Sequence, residues 1–76
     1  MNSTNVIKGF RGKKNLSQEQ VAELLGITRQ TYNSLENNLL NNDFTLVFKL
    51  LRVLELNDNE IEEFFNALRQ DYLSCS

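Results

Sequence analysis

The chain has no Pro, no Trp and no His, one Cys and only 3 Gly in its 76 residues. Each scarcity excludes something. Without an imidazole, and with the lone thiol of Cys75 beside the last residue, there is no internal disulfide, no cysteine cage for a metal and no redox pair. Glycine-rich phosphate loops are missing, and the Ser-Lys and carboxylate pairs recur only at ordinary surface spacings. An enzyme is therefore not expected, and neither is a cofactor, a metal or a small-molecule ligand. Acidic pairs such as Glu62-Glu63 and Asp58-x-Glu60 read as a solvated helix start favoured by the helix dipole. Proline's absence means that no turn is enforced by ring closure. No apolar run approaches the roughly 20 residues that span a bilayer, and MNSTNV lacks the basic-then-apolar layout of a signal peptide. The expectation is a cytoplasmic protein.

What is present points to a folded helical domain: 41% hydrophobic and 24% charged residues, which is neither disordered nor fibrous in character. A chain of this length is a single domain, residues 1–76, near the size where one core only just stabilises a fold. Charge is unevenly spread. Residues 1–52 hold seven Lys and Arg against four acids, whereas residues 53–76 hold Arg69 against six acids, so +3 faces −5 within a net charge of −2. An acidic pI near 5.0 argues against a protein that clings to any nucleic acid, because phosphate attraction dominates non-specific affinity. A local basic surface remains compatible with it.

Five helices are expected, at about 4–14, 18–25, 29–37, 44–54 and 58–73. Ser3 or Thr4 is placed to cap the first, which turns Val6, Ile7 and Phe10 inward and is weakened by Gly9 and Gly12. Lys8, Arg11, Lys13 and Lys14 collect on its exposed side. They serve either as a solvated face near a helix C-terminus or as phosphate contacts. Ser17 and Gln20 spell a capping box for the second helix, whose inward side reads as Val21, Leu24 and Leu25, with Gly26 as a left-handed stop. Thr28 caps the third helix, and Tyr32 and Leu35 point to the core. Arg29, Gln30, Asn33, Ser34 and Asn37 then face outward. Arg pairs with guanine, Gln and Asn pair with adenine, and Ser is permissive, which is the repertoire of a major-groove reader. Thr28 and Thr31 are placed for phosphates or thymine methyls, and Asn37 for a phosphate.

These residues carry a resemblance. FRGKKN followed by LSQEQVAELLGITRQTYNSLEN resembles the helix-turn-helix of the lambda-type and 434-type phage repressors and Cro proteins, the XRE family of regulators. The matching features are Arg11, Leu16 to Glu19, Ala22, Leu25 to Thr28 and Leu35-Glu36. The resemblance implies an all-α, compact five-helix lambda-repressor-like domain with the motif at helices 2 and 3. It also implies a double-stranded DNA operator as partner, a phosphate on Gln18, and base reading by Arg29, Gln30 and Ser34. Proteins of this kind read two half-sites as dimers, and part of the last helix, Phe65, Leu68 and Tyr72, is a candidate two-fold interface. The chain departs from the family after Glu36, where Gly and then Pro are usual and Asn37-Asn38-Leu39-Leu40-Asn41-Asn42 stands instead. Asn38 is expected to replace the Gly as a left-handed stop. Leu39 and Leu40 either tuck into the core or form an apolar patch for a protein partner. Residues 44–54 are apolar nearly all round and read as a central buried helix. The function expected is an operator-binding regulator of Cro or repressor type. The alternative is an antirepressor or modulator that binds another repressor.

Overall fold

The computed structural model describes residues 2–75, leaving out the side chain of Cys75. Five α-helices follow one another: α1 Ser3–Lys13, α2 Gln18–Leu25, α3 Arg29–Glu36, α4 Phe44–Val53 and α5 Asp58–Cys75, with a short 3-10 turn at Leu39–Asn41 before α4. There is no strand among the described residues.

Local chemistry explains each start. Ser17 accepts the Gln20 N–H while the Gln20 side chain accepts the Ser17 N–H at 2.8 Å, a complete capping box. Asn57 and Glu60 repeat the device for α5, at 2.9 and 3.0 Å. Thr28 and Asp43 cap α3 and α4. At α1 the cap is Asn2, which accepts the Asn5 N–H at 2.8 Å, rather than Ser3 or Thr4. Ser3 is instead buried, and both its N–H and its hydroxyl donate to Asp71 of α5. That clasp ties the first helical turn to the last helix.

Three of the turns use a left-handed residue: Asn15 at φ 57°, Gly26 at φ 74° and Glu55 at φ 53°. Each is followed by an amide that reaches back five residues, Leu16 to Arg11, Ile27 to Ala22 and Leu56 to Leu51, the wrap that satisfies carbonyls left open at a helix end. The expected stop at Asn38 is corrected. Helix α3 ends on right-handed Asn37, and Asn38 has a negative φ of −148° and so is not left-handed. Its carbonyl and side-chain oxygen accept from the Asn42 and Asn41 amides. The Asn-rich loop thus stitches itself around Leu39.

The core collects Ile7 and Phe10 from α1, Val21 and Ala22 from α2, Tyr32 and Leu35 from α3, Leu39, and then Val47, Leu50, Leu51 and Leu54 from the α4 segment, closed by Phe64, Ala67 and Leu68 of α5. Two expectations about burial are overturned. Leu24 is 60% exposed, because Val21, Ala22 and Leu25 already define the inward arc of α2 and residue 24 lies roughly a quarter-turn away from it at 100° per residue. Nor is α4 buried all round. Residues 47, 50, 51 and 54 form one stripe, while Phe44 and Phe48 sit on its flank, 60% and 54% exposed.

Candidate nucleic-acid interface

Helix α3 is held by its buried end. Glu36, fully buried, receives the phenol of Tyr32 one turn earlier at 2.6 Å, the Arg11 Nε at 3.0 Å and the Gln18 amide at 3.1 Å. Arg11 spends a further N–H on the Leu16 carbonyl at 3.1 Å, and Thr4 donates to the Glu36 carbonyl at 2.8 Å. Three helices therefore meet on one carboxylate. Burial pushes that carboxyl up, but the donors from Tyr32, Arg11 and Gln18 outweigh it and hold it below the ordinary glutamate value. The Tyr32 hydroxyl moves the other way, raised by burial and then by its bond to the anion. Among the described residues no buried side-chain polar atom is left unpartnered. The orientation of α3 is thereby fixed against α1 and α2.

The opposite face of α3 is open. Arg29, Gln30, Thr31, Asn33, Ser34 and Asn37 are all exposed. Arg29, Gln30 and Ser34 have no side-chain hydrogen bond or ion pair among the described residues, so their polar groups are available. Thr28 accepts the Thr31 N–H at 3.1 Å and donates its own proton to the Thr31 oxygen at 2.8 Å. Its hydroxyl is consumed by the cap, whereas Thr31 retains a proton for an outside acceptor. Asn33 donates to Gln18 at 3.3 Å and accepts from Asn37 at 3.2 Å.

The basic residues divide. Arg11 is not a free cation, because Glu36 and Leu16 take three of its five N–H groups and tie it into the frame. Lys13 lies over the Phe10 ring at 5.9 Å and lines a surface groove with Asn57, Glu60 and Glu63 of the acidic α5 start, where a phosphate would be repelled. Lys8 and Lys14 are exposed. Arg29 and Gln18 line a shallow depression with Ser17 and Glu19 at the start of α2. The candidate protein contacts also divide. Leu39 is buried and Leu40 is half-buried against the core, so the expected partner patch there does not form. Leu68 is core, while Phe65 and Tyr72 are exposed.

Sequence reasoning missed two features. In the sequence Glu36 stands out only as a matching residue at the end of a helix, although its spacing of four from Tyr32 already places a phenol against it. The second is a tilted stack of exposed rings, Phe44 to Phe48 at 6.4 Å and Phe48 to Phe65 at 6.2 Å. The hydrophobicity of residues 44–54 hides Phe44 and Phe48 in a helix that reads as buried, whereas Phe65 is legible on the last helix.

Two capped helices joined through a left-handed Gly, the second anchored at one end and presenting a polar face, define the helix-turn-helix class, an architecture that lays its second helix in the major groove of DNA. The chain belongs to the XRE-type helix-turn-helix family, whose model matches residues 7–61. It is also 37% identical over 59 residues to an uncharacterized HTH-type transcriptional regulator of Archaeoglobus fulgidus, covering 78% of this chain and 79% of that protein. No solved structure matches at a significant level.

Proposed function

We propose that the chain is a sequence-specific DNA-binding regulator of transcription, of the Cro or repressor kind, which acts by occupying an operator with α3 in the major groove. The exposed face of α3 carries this reading. Arg29, Gln30 and Ser34 stand free on it, beside Asn33, on a helix locked from behind by Glu36. Family membership and the archaeal relative's name support the regulatory role. Phosphates are held by the second amide proton of Gln18, by Thr31 and by Lys14. The test is selection from a random duplex library at fixed salt, followed by gel shift. One preferred sequence is expected, and Arg29→Ala should cost about 1–3 kcal/mol at one base pair and relax preference there. Equal binding to all duplexes by the folded protein would overturn the proposal.

Two half-sites call for two copies, and the exposed rings of Phe44, Phe48 and Phe65 supply the surface for a second copy of this chain. Phe48 and Phe65 border an apolar groove lined by Leu51, Leu56 and Ile61, with Arg52 and Glu55 on its rim. Arg52 and Glu55 carry opposite charges on one rim, as a self-complementary two-fold contact requires. The alternative of an antirepressor that binds another regulator loses the Leu39-Leu40 patch and keeps only the acidic pI and the acidic C-terminal third as support.

A further inference from the structure

Resting on the operator-reading proposal, the geometry points to a directional relay, Glu36 to Gln18 to Asn33 to Asn37, that fixes which way round the Asn33 amide meets a base pair. The direction originates in charge. An amide presents an N–H₂ and a carbonyl oxygen of nearly equal shape, so either end can face a neighbour that both donates and accepts. Ionised Glu36 only accepts. Gln18 must therefore give it the nitrogen, at 3.1 Å, which leaves the Gln18 oxygen to face Asn33. Asn33 answers with its own nitrogen at 3.3 Å, and its oxygen then takes a proton from Asn37 at 3.2 Å. Asn37 is itself clamped, because the same nitrogen donates to the Asn33 carbonyl at 2.8 Å. Its side-chain protons are spent, so Asn37 is a positioning residue and not a phosphate contact.

Asn33 is left with one N–H and one oxygen lone pair for an outside partner. Adenine offers the matching pair in the major groove, an N6 amine that donates and an N7 that accepts. A free Asn side chain rotates to suit adenine on either strand, since exchanging A·T for T·A reverses the order of those two groups. With nitrogen held toward α2 and oxygen toward the end of α3, only one order fits. The relay makes Asn33 a reader of strand as well as of base.

The experiment is a quantitative binding profile over all single-base variants of the selected operator, for the wild-type protein, Asn33→Ala and Asn37→Ala, with thermal melting to show that each variant folds. One base pair is expected at which wild type prefers A·T over T·A by about tenfold or more. Asn33→Ala should abolish that preference, and Asn37→Ala should cut it to about twofold while preferences elsewhere persist. A merely structural role for Asn37 would lower all positions together. Unchanged strand preference in Asn37→Ala overturns the relay. Loss of no preference in Asn33→Ala overturns it too, and leaves operator reading by Arg29 and Gln30 standing. A wild-type protein with no preferred duplex overturns both readings.

Discussion

Glu36 is the residue on which the helix-turn-helix depends. Replacing it with Ala removes the acceptor shared by Tyr32, Arg11 and Gln18 and leaves a guanidinium facing a void. Breaking such a buried pair costs about 3–5 kcal/mol, a large share of the stability of any small domain. Tyr32→Phe deletes a single bond to the anion and should cost less, about 1.5–3 kcal/mol. Denaturant unfolding at neutral pH checks the order of the two. The pH dependence follows from sign. The Glu36 carboxyl titrates lower in the folded protein than in the unfolded chain, where it is about 4.3. Its contribution is complete above that value and drains away as pH falls through the folded one. Tyr32 works at the other end. Its folded value is raised, so its share is complete below about 10, the unfolded value, and is lost as pH rises beyond. The stability gap between wild type and Glu36→Gln should therefore narrow as pH falls below about 4.3, the unfolded value. A constant gap would mean that the Glu36 carboxyl titrates alike in the folded and unfolded chain, and a gap that moves the opposite way would mean that it is held protonated in the fold.

The helices were legible because their signals are local. Ser17 with Gln20 and Asn57 with Glu60 carry both halves of a capping box within four residues, and Gly26 announces its own backbone conformation. What could not be read was whatever depends on a distant partner. Ser3 resembles a cap until Asp71, 68 residues away, is brought beside it. Arg11 resembles a phosphate contact until Glu36 is known to be buried. Glu55 is a further case, since nothing in a glutamate indicates a left-handed turn, yet it sits at φ 53° between α4 and α5. That conformation costs a residue with a Cβ about 1–2 kcal/mol, against the roughly 0.5–1 kcal/mol of chain entropy that Gly would cost. Glu55→Gly should accordingly raise stability by up to about 1 kcal/mol, read as a higher denaturant midpoint. A lower midpoint would show that the Glu55 side chain contributes more than its backbone strain costs.

At the level of the molecule, the uneven charge acquires a geometry. Lys13 lines a groove with the acidic start of α5, while Arg29 lines a separate depression at the start of α2, so the basic character of residues 1–52 is only partly available to DNA. Under the operator-reading proposal, association then draws on shape complementarity and on a second copy. Phe44, Phe48 and Phe65, at 60%, 54% and 38% exposure, offer on the order of 300 Å² of ring surface. A stable protein–protein interface takes about 800 Å² from each partner. The rings alone fall short, so the proposal predicts a monomer in free solution and two copies once neighbouring half-sites hold them together, since tethering on one duplex raises the effective concentration of the second copy. Sedimentation of the free protein and of its complex with a two-half-site duplex should give one and two protomers respectively. Phe44→Gln with Phe48→Gln changes side chains that already face water, so folding should persist while binding to the two half-sites loses its cooperativity and each fills independently. Cooperative filling that survives the double substitution would assign the contact elsewhere, with the exposed Tyr72 of α5 as the next surface to vary.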